Sequence, residues 1–278
     1  MKMSRKAGKF FSYLFVACMA FFALFPIFAL LLASFKPSTE LLQYGLNLNL
    51  QPDKLTLNNY ISIFTSSGNY LSWYKNSIIV LLIATPCSLL LSSMVGYALA
   101  VYQFKGKKVI FILVILILII PVEILLLPLY QLISRIGLMN SFGGLILPFL
   151  VSPLAVFFFR QYAAGLPSAL LDAARIDGCM EYRIFFQIMM PVMLPAYGAM
   201  AVLLAMNNWN SFIWPLIVMQ SNASFTLPVG IASLNSPYST NYEIMLSGSA
   251  LTVIPIVIIF FFFQKYFIAG LTSGSVKE

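Results

Sequence analysis

The stretch FFSYLFVACMAFFALFPIFALLLASF, residues 10–35, carries no charged side chain. A helix crossing the roughly 30 Å hydrocarbon core needs about 20 apolar residues. Backbone exposed to lipid must satisfy its own hydrogen bonds, so the stretch reads as a spanning helix. It is too long for the core of a cleaved leader, and no small-residue cleavage site stands out. An uncleaved first span is therefore predicted after the basic start MKMSRKAGK.

The pattern repeats outward from there. Of 278 residues, 61% are apolar and 9% charged, against about 25% charged in soluble domains. Such a chain lacks the surface charge that would keep it dissolved. Further apolar runs cover 76–102, 109–134 (interrupted only by Glu123), 138–160, 184–218 and 244–266. The expectation is one all-α polytopic domain, 1–278, with six transmembrane helices. Residues 36–75 read as a polar external loop with short helices.

Lysine and arginine set the orientation. With the N-terminus inside, twelve basic residues fall on the cytoplasmic side. Only Lys36, Lys54, Lys75 and Arg135 fall outside, a positive-inside bias. Both termini are then cytoplasmic, as is the loop between spans four and five. The net charge of +8 is dispersed, so it reads as membrane orientation and gives no nucleic-acid partner. There is no histidine, which excludes Ser-His and His-metal catalysis. Cys18, Cys87 and Cys179 match no metal-ligand or disulfide spacing and read as packing residues, with no metal site.

The loop between spans four and five contains DAARIDG, residues 172–178. Pro167 suits a first helical turn, with Ser168 a weaker cap. Leu170, Ala173, Ala174 and Ile176 or Asp177 recur at helical spacing, and Gly178 is free to turn. The helix, placed at 167–181, is too short to span. It is either an interfacial helix or a peg for a cytoplasmic partner.

DAARIDG followed by IMMP at 188–191 resembles the cytoplasmic-loop signature of ATP-binding-cassette importer permeases: E-A-A, three residues, G, about nine residues, I, one residue, L-P. Asp172 stands for the usual Glu and Met190 for the Leu. WNSFIWP at 209–215, TLPVGIASL at 226–234 and GLTSGSVK at 270–277 are similar to the carbohydrate-uptake branch, and to the second permease of a maltose-transporter-type heterodimer. The resemblance implies a binding-protein-dependent importer of an oligosaccharide in a bacterial plasma membrane. Its partners would be a second permease, two ATP-binding subunits and an extracellular solute-binding protein. It also implies that Asp172, Ala173, Ala174, Arg175, Asp177 and Gly178 form the coupling helix. The tail around Gly270, Thr272 and Gly274 would reach the ATPase interface. No G-x-x-x-x-G-K-[ST] occurs, so ATP and Mg would sit on the partner subunits, with no cofactor in this chain and no enzyme activity of its own.

Three further features carry weight. Glu123 is the one acid inside an apolar run, and serves a cavity or gate or a structural hydrogen bond. Asn208, Trp209 and Asn210 suit a sugar path or outer gate, since amides bond hydroxyls and rings cover C–H faces; Trp214 reads as an interfacial belt residue. Pro191 and Pro195 should bend span five near its cytoplasmic end. A stand-alone ion-coupled transporter is the alternative, with Glu123 its one buried charge, and an intramembrane enzyme is disfavoured by the lack of His and of paired acids.

Overall fold

The computed structural model describes residues 2–37, 39–40, 51–65, 68–235 and 242–272, with side chains from residue 8 to residue 266 among them. The described chain is helical throughout, without a β-strand. It divides into two compact units, Met1–Leu71 with Gly230–Ile254, and Ser72–Val229 with Pro255–Glu278.

In the first unit, α1 (Lys2–Ser34) carries no charge from Phe10 onward, where it is apolar on every face, and its most hydrophobic window is wholly exposed within the chain. A helix apolar all round is the signature of a membrane span. The chain leaving it is pinned to α2 (Asn58–Thr65) by polar groups. Asn59 Nδ2 donates to the carbonyls of Ser34 and Lys36, each at 2.8 Å. The Ser34 and Tyr60 hydroxyls bond at 2.6 Å, and buried Lys36 pairs with Glu40 at 3.1 Å. These bonds satisfy backbone groups that a buried turn would otherwise orphan. The predicted external loop thus holds an ordered helix; its residues 41–50 lie outside the described ones.

The second unit is built from α3 (Tyr70–Val101), α4 (Lys107–Ile119), α5 (Val122–Arg135), α6 (Phe142–Ile146, continued by a 3₁₀ turn to Phe149), α7 (Pro153–Ala164), α8 (Ala169–Ile176), α9 (Leu194–Trp209) and α10 (Ile213–Val218). The chain then passes through α11 (Leu227–Ser233) to α12 (Tyr242–Thr272). Among the described residues, four stretches are long and apolar enough to cross a membrane alone: 8–34, 70–101, 194–218 and 242–266. The count becomes six when α4 with α5, and α6 with α7, each form one span.

Three predicted spans differ from plain rods. The run 109–134 bends by 104° between α4 and α5. Pro121 has no N–H to continue the ladder and holds Ile120 in an extended conformation (φ −75°, ψ 121°). The run 138–160 bends by 42° before Pro153, where Ser152 caps α7 by accepting from the Ala155 N–H, and the helix continues to Ala164. The run 184–218 opens with a π-helical segment, Ile184–Met189, just ahead of Pro191 and Pro195, and breaks again at 210–212 between α9 and α10. Where a bend was expected from the two prolines, the helix is widened over Ile184–Met189 and interrupted at Met193. The helix expected at 167–181 is regular only over α8, and α3 begins at Tyr70 rather than Asn76.

One core holds Tyr97 of α3, Ala155, Phe159 and Ala163 of α7, Ile184, Phe185 and Met189 of the π-helical segment, and Met200 of α9. The approach of α3 to α7 is close: a Cβ on Gly96 would lie 2.7 Å from Phe159 Cβ and 2.9 Å from the Arg160 nitrogen. A second core joins Ala84, Ile133, Leu145, Ile146, Trp214 and Val218.

Candidate functional site

Two places in the second unit gather the residues singled out above. The first is α8. The N–H groups of Leu171 and Asp172 both bond the Ser168 carbonyl, at 2.9 and 3.0 Å, so Ser168 starts the helix with its backbone and not its side chain. At the other end Gly178 has φ +73°, a conformation that costs most residues and glycine little. There the Cys179 N–H reaches the Ala174 carbonyl and the Gly178 N–H the Arg175 carbonyl, both at 3.0 Å. This is the Schellman closure that ends a helix sharply.

Periodicity placed Leu170, Ala173 and Ala174 on one face. The packing selects Leu171 and Ala174, which insert into the core beside Tyr97, Ala163, Ile184 and Phe185. Leu170 is 38% exposed and Ile176 85%. Asp172, Ala173, Arg175, Asp177 and Gly178 face outward with Ile176.

Glu181, which the sequence reading passed over, ties this helix down. Arg175 Nε donates to Glu181 Oε1 at 2.8 Å, and the Tyr102 hydroxyl donates to Oε2 at 2.7 Å. Asp172 lies 3.8 Å from the same guanidinium. Hydrogen bonding from Arg175, then from Tyr102, holds the Glu181 carboxyl below its usual range. Burial, followed by the bond to this carboxylate, pushes the Tyr102 phenol up. Lys107 donates to the carbonyls of Ala100 and Tyr102, at 3.1 and 2.8 Å, and so caps the end of α3 beside the cluster. No local pattern marks Glu181, because Tyr102 lies 79 residues earlier.

The second place is a cavity of about 560 Å³. It brings Glu123, Asn208 and Asn210 together, with Asn207, Ser211, Ser88 and Thr226 also in its walls. Asn208 Nδ2 donates to Thr85 Oγ1 at 2.9 Å. Trp209 is not in this lining; it is 2% exposed and meets the Tyr74 ring edge-on at 5.7 Å. Trp214 is no belt residue: it is 5% exposed, its Nε1 donates to the Gly144 carbonyl at 3.1 Å, and it lines the cavity. Asn207 adjoins the Asn208 already singled out, whereas nothing local distinguished Ser88 or Thr226.

Gly270 and Thr272 fall in the last turn of α12, and Gly274 lies outside the described residues. No cluster of three His, Cys, Asp or Glu side chains able to hold a metal occurs among the described residues.

Comparison with known proteins gives this geometry its setting. The chain is 56% identical to the arabinooligosaccharides transport system permease protein AraQ of Halalkalibacterium halodurans, over 99% of this chain and 100% of that protein. It is 53% identical to the AraQ of Bacillus subtilis, over 95% and 94%, and 33% identical to the galactooligosaccharides transport system permease protein GanQ of the same organism, over 100% and 98%. Among solved structures, a chain of a bacterial ABC transporter involved in the import of the acidic polysaccharide alginate matches in fold, with TM-score 0.81 and 19% identity over 95% of this chain and 98% of that one. Residues 88–273 match the model of the binding-protein-dependent transport system inner membrane component. The chain belongs to that family of inner membrane transport components.

Proposed function

We propose that this chain is one permease half of an ATP-driven importer of an oligosaccharide, working by alternating access beside a second, homologous permease. The carrying observation is α8. It is eight residues long, far short of a span, buried on one side against the core and held at both ends. Its other side offers Ile176 among Asp172, Arg175 and Asp177, a mixed surface suited to a protein and not to lipid. The occupant is an ATP-binding subunit with a cleft that takes the exposed turn.

The chemistry follows from this placement. ATP and Mg reside on two partner subunits, and their closure pushes α8. Leu171 and Ala174 carry the displacement into the core, while Arg175, Glu181 and Tyr102 carry it to the end of α3. The spans rearrange as rigid bodies and the pathway turns outward, where a solute-binding protein delivers sugar; hydrolysis resets it. This chain forms no covalent intermediate. Glu123, Asn208 and Asn210 border the sugar path, while Trp209 packs against Tyr74 and is not part of that lining. The end of α12, at Gly270 and Thr272, approaches the ATPase pair. The basic residues fit an orientation with both termini in the cytoplasm of a bacterial cell. Relatives named for arabinooligosaccharides, lactose and galactooligosaccharides support a neutral sugar.

Uptake of labelled arabinotriose by cells lacking and then regaining this chain tests the reading. Import that requires both this chain and ATP hydrolysis by co-purifying subunits supports it. Import that persists without any ATPase overturns it in favour of an ion-coupled carrier.

A further inference from the structure

The cavity lies where three helices are interrupted. Its walls include Glu123 in the first turn of α5, Ser152 and Pro153 at the start of α7, and Asn210 to Phe212 in the break between α9 and α10. Non-helical backbone within a span is tolerated only where protein covers it or where it lines a hydrated cavity. Discontinuous helices meeting at one point are also how other transporters form their binding sites. Convergence of three breaks on one cavity is therefore evidence of a built site.

A second observation concerns unpaired groups. Ser88 and Thr226 are 2% and 4% exposed, and their hydroxyls have no hydrogen-bond partner. Both residues line the cavity, on different elements. Buried hydroxyls are costly to leave unpaired, and both oxygens sit just beneath the cavity surface with almost none of either open to it, so a small shift of the wall as a ligand enters would give them a partner.

The lining defines the chemistry of that partner. Asn207, Asn208, Asn210 and Ser211 join the two hydroxyls, and every one of these side chains both donates and accepts. This matches sugar hydroxyls, which also do both. Phe149, Phe212 and Trp214 supply apolar wall for C–H faces. The one ionisable lining group is Glu123, an acceptor for a hydroxyl proton, and no cationic side chain is present to pair a carboxylate. The volume of about 560 Å³ lies within the ordinary range of small-molecule sites.

We propose that this cavity is a sugar subsite within this chain itself, which takes an uncharged, hydroxyl-rich ring of the transported oligosaccharide and excludes uronic acids. The proposal rests on the importer reading but assigns the contact to this subunit instead of leaving it to the companion permease.

The test is equilibrium binding of labelled arabinotriose to the purified permease–ATPase complex without its solute-binding protein. Saturable binding is expected, displaced by unlabelled arabinotriose and not by trigalacturonate. In the Ser88→Ala, Thr226→Val complex the dissociation constant should rise about tenfold, as expected for two lost hydrogen bonds. Thermal stability should hold, because both substitutions remove groups that lack partners. Glu123→Gln is a second variant and should let trigalacturonate compete. The proposal is overturned if the complex shows no saturable binding, if the double variant binds as tightly as the parent, or if trigalacturonate competes equally before and after Glu123→Gln. ATP-dependent uptake by the unaltered complex is measured in parallel. If uptake is normal while the variants change nothing, the subsite fails and the importer reading stands.

Discussion

The two ends of the second unit use polar residues in opposite ways. Around α8 a surface cluster is paired: Arg175 with Glu181, Glu181 with Tyr102, Lys107 with two carbonyls, and each end of the helix with a backbone closure, while the buried Tyr97 hydroxyl in the core beneath it has no partner. Around the cavity, two buried hydroxyls have no partner and three helices break off. Along α3, Ser88 lies thirteen residues before Val101, the residue next to Tyr102, about 20 Å at 1.5 Å per residue. A satisfied cluster resists distortion and passes a push onward. An unsatisfied one is completed by what enters it. On the importer reading, motion belongs to one end and recognition to the other.

The largest way to break it is Leu171→Ala. This residue carries α8 into the core, and deleting a buried leucine side chain typically costs about 2–5 kcal/mol. We expect a lower unfolding temperature for the purified complex and ATPase activity no longer coupled to uptake. If coupling stays intact at the lower stability, α8 does not transmit through this contact.

Gly178→Ala should cost less, about 1 kcal/mol, since a Cβ there meets nothing within 4 Å and only the positive φ is penalised. Gly178→Asn, which tolerates that conformation better, should recover part of the loss in the same melting assay. Equal melting for all three would show that the closure contributes little.

The smallest effect belongs to Glu181. The pair is exposed, so Glu181→Gln should reduce uptake only about twofold. Its carboxyl titrates below the usual 4.5 in the folded chain, so its stabilising contribution is complete above about that pH. It is lost as pH falls through the depressed folded value. Melting curves of the parent and Glu181→Gln complexes should therefore differ at neutral pH and converge in acid; a constant offset across that range would exclude the linkage.

Much of the architecture was legible in the sequence because membrane spans are written as gaps between charges. Phe10 to Phe35 needs no tertiary information to be read as a span. The bends were harder to see. Pro121 and Pro153 start new helices, yet Pro86 and Pro255 lie inside continuous ones, so proline alone does not locate a break. The face of α8 was misjudged by one residue, Leu170 for Leu171, a rotation of about 100° that only packing against Tyr97 and Phe185 decides. DAARIDG marked a short helix, which the structure contains, but not Glu181, whose partners are brought to it by the fold. Likewise Ser88 and Thr226 belong to one wall only after α3 and the segment before α11 come together. The amides at 207–210 were visible because three asparagines crowd one helix end.

The central claim, that α8 is the seat of the ATPase, is tested most directly at Ile176. This side chain is 85% exposed and contributes nothing to the core, so Ile176→Glu should leave the fold and melting temperature intact. The measurement is ATP-driven uptake together with recovery of ATP-binding subunits on purification. The account predicts that both fall at least about tenfold, as for truncating or charging a desolvated interface anchor. Full uptake with a full complement of ATPase would contradict it.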